Sequence, residues 1–264
     1  MKKYRKLSKI KRKKSILKSR FFWFFIFSLL IFLAGFYFVC FSSFFEVKEI
    51  KVSGNQKIAA KEIEDLVWAQ TERKIIFFES KSIFLTSLKN AQNEILIKFP
   101  LISQVVFKRQ LPNIILTEVE ERKAVGLFNQ FDKNFLIAKD GIIFEEINQE
   151  MGEYLKIKNL TLNNYLSLGQ KAIETDVLNF ILLVDSKLEN ELKIPLKEAS
   201  IVSSERLNVV TLEGWEIYFN LKGDAKWQIT KIKADLQDYI PPERVKDLEY
   251  IDVRFEDLAP FKYR

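Results

Sequence analysis

Residues 21–45 read FFWFFIFSLLIFLAGFYFVCFSSFF, and this stretch decides how the rest of the chain is organised. It holds 25 consecutive residues without a charge and 11 of the protein's 24 phenylalanines. An α-helix of about 20 apolar residues crosses the hydrocarbon core of a bilayer, so this run is long enough to span a membrane with some tilt. We therefore predict a transmembrane helix over residues 21–45.

A cleaved signal peptide is the main alternative interpretation of the run. The apolar part of a signal peptide has about 7–15 residues and ends at small side chains. This run is longer, and the small residues near its end, Ser42 and Ser43, are flanked by phenylalanines. Cys40 follows the bulky residues 37–39, which do not fit a lipoprotein processing site. The pattern therefore favours an uncleaved span that contains Cys40 as one of its apolar residues.

Charge is distributed unevenly on the two sides of this span. Of the 42 lysines and arginines, eleven lie in residues 2–20 beside no acid, which leaves 31 bases against 35 acids in the rest of the chain. The tail thus carries all of the positive excess, and the rest, at about −4, is not the basic body of a nucleic-acid-binding protein. Basic residues stay on the cytoplasmic side of a membrane. We predict a cytoplasmic tail at residues 1–20, export of everything from about residue 46, and no nucleic-acid partner.

The sequence lacks the residues that most kinds of enzymatic catalysis require. Histidine is absent and the single cysteine lies in the apolar run, so a Ser/His or Cys/His nucleophile and a His/Cys zinc site are excluded. None of the eight glycines belongs to a Gly-Lys-Ser/Thr phosphate loop. Acids such as Glu118 and Glu120 are interpreted as strand surface rather than a glycosidase pair, while a Ser/Lys dyad stays open. We predict a non-enzymatic protein without a cofactor or metal.

Residues 46–122 predict a small α+β domain. Apolar and charged residues alternate after the membrane until the turn at Ser53-Gly54-Asn55, which is typical of a strand. Two amphipathic helices and a hairpin follow. In chain order, the predicted elements are a strand at 47–52, helices at 59–70 and 83–96, and strands at 102–109 and 114–121. The order β-α-α-β-β indicates two helices over a three-stranded sheet.

Residues 123–264 predict a second, mostly antiparallel β-domain with flanking helices. Asp140-Gly141 and Glu213-Gly214 indicate hairpin turns between apolar runs. Asp224 is the expected cap of a helix that ends at Pro241-Pro242, and Trp227 and Tyr239 are among its side chains expected to pack inward. The predicted strands are 124–128, 135–138, 142–144, 199–203, 208–212, 215–219 and 250–255, and the predicted helices are 177–188 and 226–240.

Several phrases in these two regions resemble one bacterial family in order and spacing. They are FEVKEIKVSGN (45–55), KFPLISQVVFKRQLP (98–112), VEER (119–122), LIAKDGIIF (136–144), VTLEGWEIYF (210–219) and LEYIDVRF (248–255). The first three resemble a POTRA domain, and the set as a whole resembles the cell-division protein family FtsQ/DivIB. The resemblance covers nearly the whole chain and is least specific over residues 145–195.

The resemblance implies a non-enzymatic bitopic scaffold of the divisome, placed in the plasma membrane at the division septum. It implies partners of the FtsB/DivIC and FtsL types and, through them, the septal peptidoglycan synthase complex. Strand addition at the end of the β-domain is the implied mode of binding. Carried over by position, the partner-binding residues are Phe255, Asp257, Leu258 and Tyr263. Pro260 cannot donate a ladder hydrogen bond, so the reach of the last strand stays open.

Two other functions and one other surface stay open at this point. The chain can be read as a membrane-anchored cell-wall-modifying enzyme, or as a POTRA-type assembly or transport component. Proteins of the second kind usually carry a barrel or tandem POTRA repeats, which this sequence does not show. The strand at 102–109 is a second candidate surface for partners.

Overall fold

The computed structural model describes residues 19–75, 78–148 and 154–264. Its first helix, α1 (Arg20–Phe41), has 22 residues and is long and apolar enough to cross a membrane. The helix ends before the predicted residue 45, because Ser42 has an extended backbone (φ −74°, ψ 135°). Phe45 lies beyond the helix, where its ring packs edge-on against Phe38 and Phe84 at centroid distances of 5.8 Å and 5.3 Å.

The C-terminal end of α1 is capped by the hydroxyl groups of two serines, Ser80 and Ser82. The hydroxyl of Ser82 donates to the carbonyl oxygen of Val39 at 2.9 Å, and the hydroxyl of Ser80 donates to that of Cys40. The last four carbonyls of a helix have no partner within it, so these two bonds satisfy groups that would otherwise need water. The C-terminal end of α1 is therefore hydrogen-bonded to the segment that contains Ser80 and Ser82.

The predicted order β-α-α-β-β is confirmed for the region after α1. A three-stranded sheet has the order β1-β5-β4, with β1 parallel to β5, and two further strands, β2 and β3, form a separate antiparallel pair. The elements are β1 (Glu49–Ser53), α2 (Ala60–Ala69), β2 (Arg73–Ile75), β3 (Phe78–Ser80), α3 (Leu88–Lys98), β4 (Ile102–Gln110) and β5 (Ile114–Glu121).

The second of these helices begins later than predicted. The expected helix started at Ile83, whereas α3 begins at Leu88. Ile83 is fully buried, but its N–H donates to the carbonyl oxygen of Phe45 at 2.8 Å. Its backbone therefore bonds to the segment that follows α1 and not to a preceding helical turn. Ile83 is apolar because it is buried in the turn before α3, and not because it belongs to the helix.

The described residues pack as two compact units. One is drawn from the described residues within 19–53, 58–92 and 106–118, and the other from those within 54–57, 93–105 and 119–264. The domain boundaries predicted at residues 20, 45 and 122 stay predictions.

A nine-stranded sheet runs through the second unit, in the order β14-β13-β12-β11-β10-β9-β6-β7-β8 within the described ranges. Five of its eight neighbouring pairs are antiparallel, which confirms the predicted sheet type. The strands are β6 (Ala124–Gln130), β7 (Lys133–Ala138), β8 (Ile143–Ile147), β9 (Lys156–Asn159), β10 (Leu196–Ile201), β11 (Arg206–Thr211), β12 (Glu216–Asn220), β13 (Leu248–Asp252) and β14 (Phe261–Tyr263).

Two helices supply the rest of this core. They are α4 (Thr175–Lys187) and α5 (Ala225–Asp238), and Ile181 and Ile232 from them are buried in the same cluster as Trp215 and Phe219 of the sheet. Burying an aromatic side chain of this kind stabilises the fold by roughly 1.5–3 kcal/mol. Alternate residues of β11 and β12 are buried, so one face of these strands carries the core and the other faces away from it.

Helix α5 confirms one prediction and corrects two. Asp224 caps the helix as expected, accepting a hydrogen bond from the N–H of Trp227 at 2.9 Å. Trp227 and Tyr239 do not pack inward, since their side chains are 51% and 69% exposed. Trp227 lies in the first turn, and its indole N–H donates to the carbonyl oxygen of Glu256 at 3.0 Å. The tryptophan therefore serves a loop rather than the core.

Candidate partner-binding site

The last strand, β14, lies at one end of the nine-stranded sheet. It pairs with β13 in antiparallel register, matching Phe261 with Ile251 and Lys262 with Tyr250. Pro260 precedes the strand, and its carbonyl oxygen accepts a hydrogen bond from the N–H of Asp252. The question of the reach of the final strand is thus answered: the chain does return to the sheet after the proline, for three residues.

The phase of β14 decides which backbone groups remain available. Pro260 accepts from β13, and the N–H of Arg264 donates to the carbonyl oxygen of Asp247 at 2.9 Å. Backbone groups of successive residues in an antiparallel strand point to opposite sides. The N–H and C=O groups of Phe261 and Tyr263 therefore point away from β13. In the described chain no other element bonds to them, so they form an open edge.

The side chains of this strand are anchored on both faces. Phe261 and Tyr263 pack against the core cluster, and the guanidinium of Arg244 lies 3.7 Å from the centroid of the Tyr263 ring. On the other face, the ammonium of Lys262 lies 2.6 Å from the carboxylate of Glu249. The backbone edge is therefore held by a strand whose own side chains are already engaged.

Three of the four predicted site residues lie together in the loop between β13 and β14. Phe255 and Leu258 have 52% and 69% of their surfaces exposed, and Asp257 is also exposed. Tyr263 lies apart from them on β14, with a half-buried ring. Their role as a partner-binding site stays a prediction.

The loop is held from beneath by Lys231 of α5, a residue that the sequence did not single out. Lys231 is 7% exposed, and its ammonium donates to backbone carbonyl oxygens of the loop. These belong to Val253 (2.8 Å), Phe255, Glu256 (3.4 Å) and Leu258 (3.5 Å). Burial lowers the pKa of this lysine, against the opposing effect of Asp257, Asp235 and Asp252. The one sequence signal for this role is a lysine at a position of the helix where the spacing of its apolar residues predicts burial.

The sheet face opposite the core carries a second cluster beside the loop. Tyr218 and Tyr250 stack with ring centroids 5.2 Å apart, and the guanidinium of Arg206 lies 4.7 Å from the Tyr218 ring. Arg254 forms a two-bond pair with Asp252, at 2.6 Å and 2.8 Å. Burial raises the pKa of Asp252, but its bonds to Arg254 outweigh this and leave the pKa below its usual value. The cluster fixes the start of the loop from the other side.

The second candidate surface, β4, is also an edge strand. Its far end is tied down by Arg109, which donates to the carbonyl oxygens of Ile83 at 2.8 Å and Thr86 at 3.2 Å. The ammonium of Lys108 lies 2.8 Å from the carboxylate of Glu118 on the neighbouring strand. The edge of β14, by contrast, adjoins a loop with exposed apolar side chains at Phe255 and Leu258, which makes β14 the stronger candidate.

The acidic side chains of the described residues are dispersed and form no metal centre. Within residues 19–75, 78–148 and 154–264, no three His, Cys, Asp or Glu side chains come together in a way that would hold a metal ion. The arrangement at β14 offers backbone hydrogen bonding and exposed apolar side chains, which is the chemistry of protein binding.

Comparisons with known proteins show similarity to one group of cell division proteins. A model of the FtsQ-type POTRA domain matches residues 45–122. The cell division protein DivIB of Clostridium botulinum is 27% identical over 228 residues, covering 83% of this chain and 82% of that protein. DivIB of Clostridium tetani is 25% identical over 228 residues, covering 83% and 80%.

A solved structure is among the matches. It is the major extracytoplasmic domain of the trans isomer of DivIB from Geobacillus stearothermophilus, at 12% identity and a TM-score of 0.27, covering 46% of this chain and 99% of that domain. The POTRA match and the similarity to DivIB proteins over 83% of the chain are the findings that count. The chain is therefore similar to FtsQ/DivIB proteins in its POTRA stretch and along most of its length.

Proposed function

We propose that this protein is a non-enzymatic, single-pass scaffold of the bacterial cell-division machinery, and that it binds a partner through the open edge of β14. The observation that carries the proposal is this edge, at the end of a sheet in a chain whose relatives are named cell division proteins. The N-terminal tail lies in the cytoplasm and the two folded units lie outside it, at the division septum.

The mode of binding is strand addition. The backbone of a partner segment that pairs with β14 forms hydrogen bonds with the N–H and C=O groups of Phe261 and Tyr263. Each bond contributes about 0.5–1.5 kcal/mol net to the free energy of binding. Exposed Phe255 and Leu258 in the adjoining loop supply apolar contacts that select the partner. Affinity then comes from the backbone and specificity from the loop.

The family points to the identity of the partners. In FtsQ/DivIB proteins this end of the β-domain recruits FtsB/DivIC-like and FtsL-like proteins, which connect it with the septal peptidoglycan synthase complex. We assign the same partners to this chain. The alternative of a wall-modifying enzyme finds no support among the relatives, and the family model matches a single POTRA stretch rather than the tandem repeats of assembly components.

Depletion of the protein in its own host, with a fluorescent fusion supplied from a second copy, tests the function. Loss of the protein should produce filaments without completed septa, and the fusion should collect at midcell. Normal septation after depletion would reject a division role. A fusion carrying substitutions only in the 253–264 segment should still reach the membrane but fail to restore division, which separates the binding edge from the rest of the chain.

A further inference from the structure

The backbone of the loop between β13 and β14 surrounds the ammonium group of Lys231. Four of its carbonyl oxygens, within the six residues from Val253 to Leu258, converge on the ammonium of Lys231. In the described part of the chain, that ammonium is bound by backbone carbonyls and by no carboxylate. Carbonyl oxygens repel one another, so their convergence on one point depends on the positive charge there.

The chemistry of lysine suits this arrangement better than that of other side chains. An ammonium has three N–H donors that rotate freely and no acceptor, so one group can serve several carbonyls at once. Its contact with Val253 is buried, where an unpaired carbonyl is expensive. The three carboxylates that affect its pKa, on Asp257, Asp235 and Asp252, surround the site from the loop, the helix and the strand.

A second contact from the same helix shows that the hold on the loop is local. Trp227 lies one turn before Lys231, and its indole N–H donates to the carbonyl oxygen of Glu256 at 3.0 Å. Residues four apart lie on one face of a helix. Lys231 and Trp227 thus present two donors to one loop, while Lys233, on another face, is exposed.

The loop leads directly into the open edge. The N–H of Asp252 and the carbonyl of Pro260 close it with a 2.8 Å hydrogen bond, after which β14 begins. A loop with only a few accessible shapes sets both the register of β14 and the direction of Phe255 and Leu258. Pre-ordering of this kind raises affinity because less freedom is lost on binding.

We propose that Lys231 is a positioning residue for partner recognition: its ammonium holds the backbone of residues 253–258 in the shape that presents Phe255, Leu258 and the edge of β14. The inference rests on the proposed function, because it gives the loop a recognition role. Lys231 itself touches no partner.

Hydrogen exchange and partner binding, both measured on the full chain in lipid nanodiscs, test the inference. Lys231→Met keeps the length and apolar stem of the side chain and removes the charge. We expect exchange over residues 253–264 to rise about tenfold while the strands at 206–220 keep their wild-type rates. Binding to the purified DivIC-like protein of the same host should weaken about tenfold. Lys233→Met is the matched control and should change neither quantity.

Wild-type exchange of residues 253–264 in K231M would overturn the inference, and so would raised exchange with unchanged affinity. If wild-type protein binds no DivIC-like protein at all, the proposed function fails, whereas the exchange result still decides whether Lys231 orders the loop. If K231M does not fold, Lys231→Gln, which keeps one short donor, is judged by the same two criteria. Raised exchange and weakened binding in K231Q support the inference.

Discussion

The carbonyl oxygen of Pro260 accepts a hydrogen bond from the backbone N–H of Asp252, with 2.8 Å between the two atoms. Proline has no N–H to donate, so this pair forms, through the acceptor of Pro260, one of the two hydrogen bonds that an antiparallel pair can exchange. The proline is therefore compatible with a returning strand and also fixes its phase. Because residue 260 faces β13, the backbone groups of Phe261 and Tyr263 face outward.

The exposed loop residues give the first prediction. Phe255→Glu or Leu258→Glu should weaken binding of the proposed DivIC-like partner about tenfold each, since a charge would replace an apolar side chain of the proposed binding loop. Both side chains are more than half exposed, so the free energy of unfolding should change by no more than about 0.5 kcal/mol. Biolayer interferometry on the full chain measures the affinity.

Leu160→Glu is the control for this pair, because Leu160 is 60% exposed and its N–H bonds to Ile201, across the sheet from β14. It should leave partner affinity at the wild-type value. Equal losses in all three variants would mean that charge, and not the loop, is responsible.

The second prediction concerns pH and Asp185 of α4. Burial, followed by the nearby charge of Glu189, raises the pKa of this carboxyl to about 6. The folded protein therefore binds a proton that the unfolded chain releases between pH 4 and pH 6, and stability rises as the pH falls through that window. The group is partly exposed, so we expect a gain of no more than about 1 kcal/mol.

Asp185→Asn removes this dependence and should make the protein more stable at pH 7 by a similar amount. Denaturant unfolding at pH 5 and pH 7 measures both effects. Asp176→Asn, at an exposed carboxyl in the first turn of the same helix, is the control and should keep the wild-type pH dependence. A pH response in D185N equal to that of the wild type would show that other groups are responsible.

The third prediction compares two glycines with the same backbone conformation. Gly141 and Gly214 have φ of +82° and +88°. A Cβ at Gly141 would lie 1.9 Å from the carbonyl oxygen of Ile173, whereas a Cβ at Gly214 would meet only the end of the Arg264 side chain at 3.3 Å. Gly141→Ala should destabilise the fold by more than about 2 kcal/mol and Gly214→Ala by about 1 kcal/mol. Thermal unfolding distinguishes them, and equal losses would contradict the role of the Ile173 carbonyl.

Elements encoded by local patterns were predictable from the sequence. The apolar run of α1, the turn at Asp140-Gly141 and the cap at Asp224 each depend on a few neighbouring residues, and each was found. The elements that were missed depend on distant partners. Strand β9 has only four residues and is held between β6 and β10, and the irregular helical turns at Leu188–Leu192 and Pro242–Asp247 follow ordinary helix-forming residues.

The candidate site was predictable as a segment but not as a mechanism. The resemblance carried Phe255, Asp257, Leu258 and Tyr263 over as one partner-facing segment, and the first three lie in the loop between β13 and β14. Nothing local to Lys231 or Trp227 indicates that they reach a loop more than 20 residues away. The direction of the Phe261 backbone likewise follows from its pairing with β13, which no periodicity in three residues can reveal.

The central claim is that the outward backbone of β14 binds a partner strand, and a proline substitution tests it most directly. Phe261→Pro removes one outward N–H, and an edge strand tolerates proline where the N–H faces solvent. Phe261→Ala removes the same side chain and keeps the N–H, so it is the matched control. Hydrogen exchange at Asp252 verifies in both variants that β14 still pairs with β13.

The measurement is the dissociation constant of the DivIC-like partner for these two variants of the full chain in nanodiscs. Strand addition predicts that F261P binds at least about tenfold more weakly than F261A. Equal affinity of F261P and F261A, with β14 still paired, would contradict the claim.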